Sequence, residues 1–129
     1  MSSFADDIRT WIITNSLNNS LNVFVDYTPD KSDFIACFNT GGRESTIPLD
    51  ATHIEEQPSV QIICNHIDSA VARDTLYSIK TNLIDKHDVI IGDYRYCLFT
   101  TLGDVLYISR NDENRTKYGL NIRTIRLKK

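Results

Sequence analysis

Nothing in this sequence approaches the run of about 18 apolar residues that a membrane-spanning helix needs. Positive charge is not in surplus either: 14 Lys and Arg stand against 17 Asp and Glu, a formal net charge of -3. Nonspecific binding to DNA or to an anionic membrane normally takes a basic surface, so both are disfavoured. Such a charge does suit a surface that stays near DNA without sticking to it. Cysteine is scarce, and its count of three is odd. Cys37, Cys64 and Cys97 each fall inside a strand-like run, which points to reduced core thiols rather than a disulfide framework. A basic leader is missing as well. The opening MSSFADDIRTW carries two aspartates where a secretory signal carries lysine or arginine. The chain is expected to be made and kept in a cytoplasm.

Signatures of catalysis are equally thin. No Ser, Cys or Thr sits in a Gly-x-Ser-x-Gly turn. Gly41-Gly42-Arg43 is not followed by Gly-Lys-Ser/Thr or by a helix pattern, so a tight turn is expected there rather than a phosphate cradle. His53 shares a loop with Glu55 and Glu56, and Cys64 and His66 lie two apart on one strand, on the same face. Neither set completes the closed four-ligand spacing of a zinc site. Glu55-Glu56 and Asp112-Glu113 are adjacent carboxylates on polar loops. General acid-base work instead needs two groups held across a cleft with separated pKa values. The expectation is a protein that is not an enzyme, with no catalytic residue, no cofactor and no metal. A small metal enzyme using Cys64, His66 and His53 is the reading this displaces.

What is present is an ordinary globular pattern. At 129 residues, with 41% apolar and 24% charged positions, the chain is long enough for one domain around a real core. Ser2 or Ser3 can cap a first helix, with Asp6 and Asp7 in its positive first turn. Phe4, Ile8 and Trp11 or Ile12 supply its apolar stripe. The polar run Asn15 to Ser20 ends it. Val23, Val25 and Tyr27, then Phe34, Ala36 and Phe38, alternate as two short strands with turn chemistry between them. Residues 43 to 58 (RESTIPLDATHIEEQP) show no sustained period and are expected as a mobile loop. SVQIICNHI reads as a buried strand. A helix capped by Asp68 or Ser69 then aligns Ala72, Leu76, Ile79 and Leu83 on one face. Val89-Ile90-Ile91 is either a strand or the helix exit. Strands at Tyr94–Thr101, Val105–Arg110 and Thr116–Leu127 follow, and Tyr118, Leu120 and Ile122 share one face of the last. The basic residues Arg123, Arg126, Lys128 and Lys129 are read as a frayed tail. This order predicts an α+β fold, with two helices on one face of a mainly antiparallel twisted sheet.

Around the turn Asn111-Asp112-Glu113-Asn114-Arg115 the chain packs Arg, Asp, Glu, Arg and Lys into the eight positions from Arg110 to Lys117. This turn reads either as a solvated hairpin turn or as a subunit contact in which Arg110 and Arg115 fork onto a neighbour's carboxylates. Together SVQIICNHIDSAVARDTLYSIKTNLI, YRYCLFTT, LYISR, NDENR and KYGLNIRTIR resemble the minor capsid proteins of tailed bacteriophages. That family is similar to tail terminators and head-tail joining proteins of long-tailed phages. The most specific part is Asp112-Glu113-Asn114-Arg115 followed by Leu120-Asn121-Ile122-Arg123, and the resemblance covers residues 58 to 127. Members often carry a Gly between the Asn and the Arg of that turn, whereas Arg115 follows Asn114 directly. They often carry a basic residue and Gly where this chain has Asn65-His66.

The resemblance implies a structural virion protein at the head-tail junction, assembled in the host cytoplasm. It implies a tail-terminator-like fold that rings up on itself, commonly as a hexamer, on the end of the tail tube. The ring stops tube growth and joins the head connector, and genomic DNA passes through its lumen without sequence-specific binding. No membrane is involved. The expected contact residues are Arg43, Glu44, Glu55 and Glu56 in the loop, and Arg110, Asp112, Glu113 and Arg115 in the turn. The alternatives are a head-completion or connector protein, or a monomeric adaptor or inhibitor of a host protein. Ordering about 15 loop residues costs on the order of 1 kcal/mol or more each, enough to hold free subunits apart until a tube end is present. On this reading, deleting residues 44–56 leaves folding intact, checked by circular dichroism, and blocks tail joining.

Overall fold

The computed structural model describes residues 3–29, 32–46, 55–110 and 114–128. Helix α1 spans Phe4–Thr14, starting from Ser3, whose side chain accepts from the Asp6 N–H while the Asp6 carboxylate accepts from the Ser3 N–H. This reciprocal capping box satisfies two donors that the helix start leaves without partners. Phe4, Ile8 and Ile12 are buried, and Trp11 donates its indole N–H to Asn82 Oδ1 at 2.9 Å. Helix α2 spans Ser69–Ile84 with Asp68 as its cap. All four residues of its expected apolar face (Ala72, Leu76, Ile79 and Leu83) have no solvent exposure.

The described strands are β1 Asn22–Val25, β2 Phe34–Asn39, β3 Arg43–Thr46, β4 Glu55–Gln57, β5 Ser59–His66, β6 His87–Ile91, β7 Tyr94–Thr101, β8 Leu106–Arg110 and β9 Thr116–Lys128. They form one nine-stranded sheet. Its spine is β9. Along one edge β9 pairs with β5 over residues 116–123 and then with β4 at 126–127. Along the other it pairs with β8 over 116–119 and then with β7 over 122–128. Beyond β5 lies β2, then β1; beyond β7 lies β6. Both helices pack on one face. There they meet Val60, Ile62 and Cys64 of β5, Leu120 and Ile122 of β9, and Tyr94, Tyr96 and Phe99 of β7.

The α+β architecture with both helices on one face is the one the sequence predicts, and four details differ. First, β1 and β2 pair in parallel, so the sheet is mixed. Asp26, at φ 53, holds the ends of both strands by accepting from Asn39 N at 3.0 Å and Asn39 Nδ2 at 2.9 Å. Tyr27 falls outside β1 and is exposed. Second, residues 87–91 form a strand, not a helix exit. Third, the 43–58 segment contains β3 and β4, paired with each other, while residues 47–54 lie outside the described residues. Gly42, at φ 75, has no room for a Cβ against the Gln57 carbonyl and Pro58, which makes the close approach of this turn specific to glycine. Fourth, the basic C-terminus is not frayed, because β9 continues to Lys128.

Truncating Leu76 or Leu83 to Ala leaves a cavity against the sheet. Each is expected to cost about 2–5 kcal/mol, measured in urea as a lower midpoint at unchanged slope.

Candidate functional site

The six predicted contact residues that are described fall into two groups at opposite ends of β9. Arg43 and Glu44 lie on β3, and Glu55 and Glu56 on β4, which pairs with residues 126–127. Arg110 ends β8 opposite Thr116, and Arg115 immediately precedes β9. Asp112 and Glu113 lie outside the described residues. At about 3.3 Å rise per residue the two ends of β9 are separated by roughly 40 Å. No single ligand site can use both groups.

At the first end, Arg115 is engaged within its own chain. Its Nε donates to Asp33 Oδ1 at 2.9 Å. Asp33 Oδ2 also lies 3.6 Å from His66 Nε2, while His66 Nδ1 accepts from the Asp68 N–H at 2.9 Å. Asn65 Nδ2 adds a bond to the Ser32 carbonyl at 2.9 Å. Arg115 is therefore tied to the segment before β2, and through Asp33 and His66 to the cap of α2. A partly exposed bridge of this kind contributes about 0–1 kcal/mol, so its effect is to position Arg115 more than to stabilise the fold. Arg110 is exposed.

At the other end is a cluster that sequence reasoning missed. Arg126 is 6% exposed. Its Nη1 donates to Tyr96 Oη at 3.2 Å and its Nη2 to Glu56 Oε2 at 3.3 Å. Its guanidinium lies 3.8 Å from the centre of the Tyr94 ring. Tyr96 in turn donates to the Asp7 carboxylate, which is 3% exposed. Asp7 lies in the first turn of α1, as the sequence predicts, and also closes a chain from α1 through β7 and β9 to β4. Burial by itself lowers the guanidinium pKa, but its Tyr96 and Glu56 partners more than offset this and hold it above its ordinary value. The signal for Arg126 was in the sequence: Leu120, Ile122, Thr124 and Arg126 continue one period-2 face, and all four are buried.

The metal-type residues are not brought together. Cys64 is fully buried under the helices, and burial pushes its thiol up to about 12. His66 turns to Asp33, and His53 lies outside the described residues. Among the described residues no three His, Cys, Asp or Glu side chains are placed to hold a metal ion. No described helix is long and apolar enough to cross a membrane. What the surface does offer is strand edges. Leu106, Tyr107 and Ile108 of β8 are 42%, 56% and 37% exposed. An open groove of about 520 Å³ runs beside β1, lined by Asp6, Arg9, Ile13 and Leu21 with the strand itself.

Comparison with known proteins gives this geometry a context. A family model described as "Bacteriophage tail terminator protein" matches residues 6–128, from α1 to the end of β9. Among solved structures, a chain of the "Virion of native gene transfer agent (GTA) particle" is similar with a TM-score of 0.62 at 13% identity. The likeness covers 96% of this chain and 90% of that one, and at such identity it speaks for the fold. No curated protein matches the chain.

Two outcomes are expected from the buried groups. Arg126→Ala strands Glu56 and Tyr96 and should cost about 3–5 kcal/mol, against less than about 0.5 kcal/mol for Arg123→Ala, both read by urea unfolding. By the same reasoning, deleting residues 44–56 removes β4 and Glu56 and is expected to destabilise the fold, contrary to the expectation from sequence. The second outcome concerns pH. Burial pushes the Cys37 and Cys64 thiols from 9.0 up to about 12. Burial, then the bond to Asp7, raises Tyr96 above 10.0. All three groups stay neutral in the fold and ionise first in the unfolded chain. Their contribution is therefore complete below the unfolded thiol value near 9.0 and is lost as pH rises from there toward about 12. A urea midpoint that stays flat up to pH 9 and then falls is the expected record.

Proposed function

The chain belongs to the bacteriophage tail terminator family, and we propose that it closes the tail tube as a homo-oligomeric ring and joins it to the head connector. As a family member it is a structural component of a phage-like virion that assembles with other virion proteins. The finer statements are our reading. The ring has six subunits, sits on the last ring of tail tube protein and stops further growth. Its far rim receives the connector or head-completion protein, and genomic DNA passes through the centre without sequence-specific contact.

The observation that carries this is the placement of the two charged groups. A terminator needs two separate contact surfaces, one for the tube and one for the head. Arg43, Glu44, Glu55 and Glu56 sit at one end of β9, and Arg110 and Arg115 at the other. Glu55 is half-buried and Arg110 exposed. The net charge of -3 supports passage of DNA, since each phosphate contact adds salt-dependent affinity and slows transit.

Native mass and negative-stain imaging of the protein, alone and mixed with tail tubes purified from the phage that encodes it, test the proposal. The expected result is a six-fold ring, or a monomer that becomes a cap on tube ends. A monomer that ignores tube ends refutes the terminator role and favours a monomeric adaptor. A ring that ignores tube ends but binds heads favours a head-completion protein.

A further inference from the structure

Across the N-terminal half of β9 the sheet runs β1-β2-β5-β9-β8. Its two outermost strands lie on opposite sides of the molecule. Among the described residues β1 pairs only with β2, and β8 only with β9. Each therefore carries backbone donors and acceptors along one side that no strand of this chain takes.

The two edges match in several ways. They are four and five residues long. Direction matches too. β1 and β2 are parallel, and each later pair is antiparallel, so β8 runs opposite to β1. Rotation about an axis along the strands preserves direction. The β8 edge of one copy thus meets the β1 edge of the next in antiparallel fashion, the more favourable pairing. β8 bulges where its register to β9 shifts between Tyr107 and Ser109, but its side chains do not blunt the edge. Three consecutive large apolar residues, Leu106 to Ile108, are exposed on it. The edge of β6, by contrast, is interrupted by Asp88 at φ 57, which is held by Arg95 at 3.3 Å. β1 has the opposite character. A groove lies beside it, and the Val23 carbonyl is held by Arg9 Nε at 2.9 Å, a bond that an added strand has to displace. The connection entering β8 is held in place, because Asp104 accepts from Lys80 Nζ at 2.9 Å and Tyr77 Oη at 3.2 Å of α2.

We infer that the occupant of the β1 groove is a second copy of this chain, whose β8 adds to the sheet there, so that the ring contact is strand pairing between opposite sheet edges. This rests on the ring reading given above and names its interface. The contact is heterologous, one patch meeting a different one, which gives a closed ring when the rotation closes. Its size also fits. Pairing of four or five residues is well short of the roughly 800 Å² per partner that a stable one-to-one complex buries. Such a contact holds when every copy uses both edges, and leaves an isolated pair weak. The tube contacts at one end of β9 then supply what a lone pair lacks.

The test mixes full-length copies that each carry one introduced cysteine in a Cys97→Ser background, with Cys37 and Cys64 remaining buried. Arg110→Cys with Asn22→Cys joins the strand ends that an antiparallel contact brings together; Leu106→Cys with Asn22→Cys joins the ends a parallel contact would. Under mild oxidation on tube ends, the first mixture is expected to give cross-linked dimers and the second few. Leu106→Lys, at an exposed position, should abolish rings while leaving the circular dichroism and melting temperature of the subunit unchanged. If rings form but Arg110→Cys with Asn22→Cys does not cross-link and Leu106→Lys still assembles, the edge contact is wrong and the ring stands. If no ring forms with the unaltered protein at any concentration or on tubes, the ring reading fails and the edge contact with it.

Discussion

A strand in the middle of a sheet must find a partner for nearly every backbone N–H and C=O along both sides. β9 is 13 residues long, and no other described strand matches it. The chain resolves this by laying two shorter strands end to end along each edge. Pro58 separates β4 from β5 on one side, and its carbonyl accepts from the Thr124 N–H at 3.2 Å, so the ladder scarcely breaks at the junction. On the other side β7 and β8 are joined through Leu102–Val105. From this arrangement come the two well-separated ends where the charged groups sit, and the opposite open edges of the five-stranded half. Shape, contacts and candidate interfaces all follow from satisfying one long strand.

The Arg126 cluster shows how the far end of that strand is fixed. A guanidinium on the core face of a sheet is costly to desolvate unless hydrogen-bonded and paired. Glu56, Tyr96 and the Tyr94 ring supply those partners, and Asp7 ties the network to α1. Its value lies in register. A one-residue slip of β9 turns Arg126 to the opposite face and Leu127 into its place. The short strand β4 has only two residue pairs to β9, too few to set its own position. The Arg126–Glu56 contact fixes it, and with it the placement of Glu55.

Much of this was legible in the sequence because it rests on local periodicity. The α2 face, the β5 run and the alternation of Tyr118, Leu120 and Ile122 each declare themselves within a dozen residues. The two-helix, one-face architecture follows from their order. What was not legible depends on distance along the chain. β3 and β4 are too short to show a period, and they form because β9 offers an unpaired edge. The ends of the parallel β1 and β2 are held together by Asp26 and Asn39, 13 residues apart and marked by no local period. Arg126 looked like a basic tail because its partners are 30 and 70 residues away. Arg115 looked free to fork onto a neighbour, and its bond to Asp33 spans 82 residues. The described interface candidates from sequence thus lie in two places rather than one.

The account stands on one geometric statement: in the assembled particle, copies of this chain surround the tail axis with β9 running along it, so that one charged end meets the tube and the other the head. Cryo-electron microscopy of intact tail ends, at a resolution that traces strands, tests this most directly. The account predicts a single ring of this chain on the last tube ring, with β9 close to parallel to the axis and the β4 and β8 ends of the spine strand on opposite rims. A ring with β9 lying around the circumference, or tail ends that contain no copy of the chain, would contradict it.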